Sequence, residues 1–210
     1  MAQSSIYKLS NVGGMNSINH YLNMLAGNTV FNPWSPTGAF DALGTVTLST
    51  STPTVTFSGI PAEYKHLQIR YAVRTDMNSG GNWSPVNIRF NADSGSTYSV
   101  HSFYGTGSSA AAEGYASQTS ANPGFGAPNT FGANVFGVGI VDVLDYSSTS
   151  KNKTIRSFSG TENNGSGIIM FQSGGWFSTA AINSLTFGLY GSTNGSNYLA
   201  NTTFALYGIK

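Results

Sequence analysis

The chain has 210 residues, of which 40% are hydrophobic, 13% aromatic and only 8% charged, and its formal net charge is +1. That length suits one domain of moderate size with an appendage, and the 13 Phe, 11 Tyr and 3 Trp argue for a folded core rather than a disordered polar chain. The absence of cysteine excludes disulfides and thiolate or zinc–thiolate chemistry, and a near-neutral chain without a basic run lacks the electrostatic footprint of a nucleic-acid or anionic-membrane binder.

Met1 to Gly14 is polar with scattered apolar points, among them Tyr7 and Leu9, and reads as an extended arm. It has no basic segment followed by an apolar run, so no signal peptide is expected. No stretch approaches the length of a membrane-spanning helix. From Met15 to Gly27 the period changes. Ile18, Tyr21, Leu22 and Leu25 fall at helical spacing, Asn16 or Ser17 can cap the start, and Gly27 can occupy C′. So short a helix needs a partner for its apolar stripe. The run Asn32-Pro33-Trp34-Ser35-Pro36-Thr37-Gly38 then forbids regular structure. Residues 1–41 thus read as an anchoring arm with one short helix and a Pro-rich linker.

From Leu43 the apolar period becomes two. Val46 and Leu48, then Val55 and Phe57 beyond Thr52-Pro53, read as a hairpin. The clearest strand follows at His66 to Thr75. Leu67, Ile69, Tyr71 and Val73 alternate with His66, Gln68, Arg70 and Arg74, which predicts one buried and one wet face. Val86 to Phe90 alternates after the Gly/Asn/Ser loop that carries Trp83, and Tyr98 to Tyr104 reads as a strand beyond the Asp93-Ser94-Gly95 turn. Gly105 to Asn134 is rich in Gly, Ala, Ser and Asn and reads as a long loop of functional or interface type. Phe136 to Leu144 is the most apolar strand and is expected to lie centrally. Thr154 to Ser159, Ile168 to Gln172, Trp176 to Thr179, Leu185 to Tyr190 and Thr203 to Tyr207 complete the set. About ten short strands with regular turn signals predict an all-β, antiparallel, jelly-roll-like β-sandwich over residues 42–210.

The chemical motifs are sparse. Asp93-Ser94-Gly95, preceded by His66 and Asp76, superficially follows the order of a serine-protease triad, but the spacing is too short and Asp-Ser-Gly is an ordinary turn triplet. Gly137-Val138-Gly139 lies inside an apolar strand with no helix after it, so it marks close backbone approach or a bulge rather than a dinucleotide loop. Asp142 and Asp145 end that strand without a clear third ligand, and strand-end solvation is the plainer reading than a Ca²⁺ site or a glycosidase pair. No cofactor or metal is expected, and no catalytic residue. The polar face formed by His66, Gln68, Arg70 and Arg74, joined by Arg89, is either a solvated surface, a subunit contact or a shallow glycan site. Trp83 is the best placed of the three tryptophans to stack on a sugar, whereas Trp176 reads as core.

Three segments then carry a resemblance: Tyr7 to Gly14 with Tyr21 to Asn28, Phe57 to Arg74, and Phe204 to Lys210. Asn91 to Tyr98, with His101 and Tyr104-Gly105, also fits. The chain is similar to the small β-rich structural proteins of tailed bacteriophages, cyanophages among them, of the tail-fibre-like, minor tail or head-decorating kind. That resemblance implies a non-enzymatic virion subunit made in the host bacterial cytoplasm. It would associate with other virion proteins, form a homo-oligomer (a trimer by preference), and be docked through Tyr7, Leu9, Ile18, Tyr21, Leu22 and Leu25. A capsid decoration or head fibre of the same layout, or a carbohydrate-binding module for host surface glycans, are the alternatives.

Overall fold

The structure, a computed structural model, describes residues 39–78, 81–190 and 195–210. The arm and helix of the sequence reading, with Tyr7, Leu9, Ile18, Tyr21, Leu22 and Leu25, lie outside the described residues. Within Phe40–Lys210 all regular elements described are strands: β1 (Phe40–Thr47), β2 (Thr54–Ser58), β3 (His66–Val73), β4 (Ser84–Phe90), β5 (Tyr98–Gly105), β6 (Ala110–Gln118), β7 (Ala121–Gly126), β8 (Gly137–Leu144), β9 (Lys153–Glu162), β10 (Gly167–Trp176), β11 (Ser184–Gly188) and β12 (Thr203–Ile209).

They form two antiparallel sheets packed as a sandwich. The larger has eight strands in the order β1-β12-β3-β8-β9-β10-β5-β6, and the smaller four in the order β2-β11-β4-β7. As the period-two pattern of β3 predicts, Leu67, Ile69, Tyr71 and Val73 are buried, and β8 lies beside β3 near the middle of the larger sheet. These side chains meet Val86, Ile88 and Phe90 of β4 and Leu185 and Phe187 of β11 in one core. Phe187 of the smaller sheet stacks on Phe204 of the larger, with ring centroids 4.3 Å apart. Trp176 is core, as expected. It packs against Phe90 and Tyr98, and its indole N–H is satisfied by Asp93.

Three local expectations fail. The stretches around Val46 and Val55 do not form a hairpin, because β1 pairs with β12 in the larger sheet and β2 with β11 in the smaller. The chain crosses between the two sheets at 49–53. Gly105 to Asn134 is not a loop throughout, since it contains β6 and β7. Ala, Gly and Ser are weak strand formers, and here pairing with β5 and β4 overrides that weakness. Finally, Ile168 and Trp176 belong to the single ten-residue strand β10.

Eight strands over four leave an overhang. β7 ends the smaller sheet and lies over β9 and β10. Tyr98 at the start of β5 still packs on Phe90 of β4, but β6 beyond it makes no extended contact with the smaller sheet among the described residues. The outer face of the larger sheet likewise has no layer above it among the described residues.

Candidate functional site

Antiparallel register lines up the outward residues of the larger sheet in rows. One row runs Arg70, Ile140, Phe158, Phe171, Phe103, Ala112 across β3, β8, β9, β10, β5 and β6. The next holds Val138 and Ile169, separated by Gly160. Six large apolar side chains thereby lie side by side facing solvent, with Phe103 and Phe171 each 55% and Phe158 44% exposed. The sequence concealed them. β8 reads GVGIVDVL and β10 begins GIIMF, near-continuous apolar runs that signal strands buried on both faces. Here one of those faces is open.

On the other side of the apolar row runs a polar one: Gln68, Asp142, Arg156, Ser173 and His101. These side chains largely satisfy one another. Gln68 Nε2 donates to Asp142 Oδ1 at 2.9 Å, Arg156 Nε donates to Asp142 Oδ2 at 3.0 Å, and Arg70 Nε donates to Gln68 Oε1 at 2.9 Å. The Arg70 guanidinium also lies over the Tyr207 ring, 5.2 Å from its centroid. His66 Nδ1 accepts the Asp145 N–H at 3.0 Å. Lys151 Nζ donates to Asp145 at 2.8 Å and, with Lys65 and His66 nearby, holds that carboxyl below the usual carboxylate range. Both carboxylates read as possible Ca²⁺ ligands are thus ion-paired. No cluster of three or more potential metal ligands occurs among the described residues.

Of the polar side chains singled out in the sequence, His66, Gln68 and Arg70 do share the outer face. Arg74 does not. β3 ends at Val73, and the Arg74 side chain turns inward, only 8% exposed. Its guanidinium donates to the carbonyls of Asn129, Phe131, Gly132 and Val135 at 2.6–3.2 Å. Arg89 lies on β4 in the other sheet, bonded to the Thr119 carbonyl and stacked on Tyr190 at 3.8 Å. Trp83, 38% exposed, stacks on Phe125 at 4.7 Å, away from the β3 row. The protease-like triplet is a turn. Asp93 accepts from Gly95 N–H and Thr97 Oγ1, while Asp76 is held by Ser196 and Asn197 and not by His66.

The apolar and polar rows bound an open depression of about 930 Å³, with Phe103, Ile140, Phe158 and Phe171 on one side and His101, Asp142 and Arg156 on the other. Its Asp142 carboxylate and Arg156 guanidinium neutralise each other, and the rest of what it offers is chiefly apolar contact area. The fold and this face define an antiparallel β-sandwich with an uncovered apolar sheet face. Comparison with family models, with curated proteins and with solved structures gives no match.

Proposed function

We propose that this chain is a non-enzymatic structural subunit of a bacteriophage particle, associated with the tail or its fibres, which assembles with copies of itself through the outer face of the eight-stranded sheet. The observation that carries the reading is the block of six exposed apolar side chains, Phe103, Val138, Ile140, Phe158, Ile169 and Phe171, aligned on neighbouring strands. Contiguous apolar patches of this kind mark protein contacts. Gln68, Arg70, Asp142 and Arg156 beside them are bonded to one another, so the face holds no concentrated charge to select a charged partner. A second copy, with the same apolar face, fits it.

Two further features support self-association. Strand β6 is an edge of the sheet, AAAEGYASQ, exposed along almost its whole length and carrying neither Lys nor Pro. Edge strands of free monomers are commonly blunted by such residues. The chain as a whole carries only 8% charged residues, a composition suited to surfaces covered in an assembly. The resemblance of Tyr7 to Gly14, Phe57 to Arg74 and Phe204 to Lys210 to phage structural proteins supplies the particle, with residues 1–41 as the attachment segment.

Sedimentation equilibrium of the full chain tests the contact face. The wild type is expected to be oligomeric at about 10 μM, and a Phe103→Ser/Phe171→Ser variant monomeric with an unchanged far-UV spectrum. A wild type that stays monomeric, or a variant that assembles equally well, overturns the proposal.

A further inference from the structure

We infer that the overhang of the larger sheet beyond β7 holds a binding pocket for one neutral saccharide ring, on the opposite side of the sheet from the proposed assembly face and independent of it. The pocket has a volume of about 300 Å³ and lies between the inner faces of β5, β6 and β10 and the edge of β7. That size is at the small end for ligand sites and suits a single ring rather than an extended chain.

Its walls have two chemistries. The floor is a small apolar cluster, Phe125, Ile168 and Met170, with Tyr104 against it. Trp83, stacked on Phe125 at 4.7 Å, extends this apolar surface outward. The opposite wall is polar where an inward-facing strand position is ordinarily apolar: Ser102 on β5, Glu113 on β6 and Gln172 on β10, with Asn122 from β7. Glu113 is already oriented, since Tyr115 donates to its Oε2 at 2.9 Å and Ser102 to its Oε1 at 3.4 Å.

Gln172 carries the argument furthest. It is only 9% exposed, it lines the pocket, and its Oε1 accepts no hydrogen bond among the described residues. A buried amide oxygen left without a donor costs on the order of 1–3 kcal/mol, so such groups call for a partner. A sugar hydroxyl supplies that donor. The pyranose C–H face matches the Trp83–Phe125 surface, while vicinal hydroxyls match the carboxylate and amide groups. Among the described lining residues there is one carboxylate and no cation, which disfavours uronic acids, sialic acids and phosphorylated sugars, since these would meet Glu113 as like charges.

The test is saturation-transfer-difference NMR of the full chain. The probes are glucose, galactose, mannose and N-acetylglucosamine, with glucuronate and tetramethylammonium as controls, each at about 10 mM because single-ring affinities in the millimolar range are expected. At least one neutral sugar should give signal from its C–H face, and Trp83→Ala should abolish it. Gln172→Met removes the unsatisfied oxygen at nearly constant volume, so the fold should be kept while affinity falls at least about tenfold. The inference is overturned if no neutral sugar gives signal, if both variants bind as the wild type does, or if only tetramethylammonium binds. A monomeric protein that binds the sugar would refute the assembly reading and leave this one standing; an oligomer blind to every sugar would do the reverse.

Discussion

Phe158 on β9 and Phe171 on β10 face each other across the sheet with ring centroids 4.7 Å apart, and both rings face solvent. A cross-strand aromatic pair contributes roughly 0.5–1.5 kcal/mol beyond area burial, which does not explain leaving so much apolar surface open. The self-association proposed above would cover it. Association then stabilises the fold by mass action, so the wild-type melting temperature should rise with protein concentration. Phe171→Ser should flatten that dependence while changing the dilute-limit stability by no more than about 0.5–1 kcal/mol. A concentration-independent wild-type melt, measured by scanning calorimetry over a hundredfold range, would count against the contact.

Arg74 is structural, and its removal should be costly. Burial lowers its pKa, and the charge is kept in place by the carbonyls of Asn129, Phe131, Gly132 and Val135. Arg74→Met leaves those acceptors without a donor and should destabilise by about 3 kcal/mol. Arg74→Lys should recover only part, because an ammonium offers three donors from one point whereas the guanidinium spreads five over a planar fork. Urea unfolding midpoints check both, and equal stability of the Lys variant and the wild type would refute the four-carbonyl account.

Asp93 gives the fold a defined acid sensitivity. Its carboxylate accepts the Trp176 indole N–H at 2.7 Å and the Gly95 N–H and Thr97 hydroxyl at 2.8 Å. The indole, then the Gly95 N–H, hold its pKa below the usual 3.8. A depressed folded pKa means that the unfolded state binds the proton first on acidification. The stabilising contribution is therefore complete above the unfolded pKa and is lost as pH falls through the folded one. Asp93→Asn should be less stable than the wild type near neutrality, and the difference should narrow between about pH 5 and pH 2. Tryptophan fluorescence in urea titrations reads this directly. Parallel pH profiles for the two proteins would show that the carboxylate charge does not matter.

How much of this was legible in the sequence depends on the range of the interaction. The alternation from Leu67 to Val73 encodes both faces of β3 because period and burial are local. Extending that alternation one step to Arg74 fails because the strand stops and the loop 129–135 supplies acceptors from some 55 residues away. β6 and β7 were hidden because their Ala, Gly and Ser side chains carry little strand propensity of their own and Pro123 interrupts the pattern. The sheet to which β1 or β2 belongs is set by distant partners, β12 and β11, which no turn signal reveals. The polar pocket wall left only a faint trace, Gln172 directly after the apolar run of β10. The candidate contact face left a misleading one, because an apolar run does not say whether both its faces are covered.

Gly139 tests how closely the β3 and β8 side chains are packed. A Cβ added there would lie 2.3 Å from Tyr71 Cζ and 2.4 Å from its hydroxyl. The Tyr71 ring cannot swing away freely, since it is buried, packs on Phe204 at 6.2 Å and donates its hydroxyl to the Phe125 carbonyl at 3.4 Å. Gly139→Ala must therefore displace the ring or the strand, and should cost about 1–3 kcal/mol, the usual penalty for overpacking. Gly105→Ala, where the nearest atom to the added methyl is 3.7 Å away on Ile169, is the matched control and should stay within about 0.5 kcal/mol of the wild type. Because the three nearest atoms all belong to the Tyr71 side chain, the two sites should also couple: Tyr71→Val should cost less in the Gly139→Ala background than alone. Urea midpoints of the four proteins in that cycle measure the coupling, and strict additivity would show that Gly139 is required for some reason other than the Tyr71 ring.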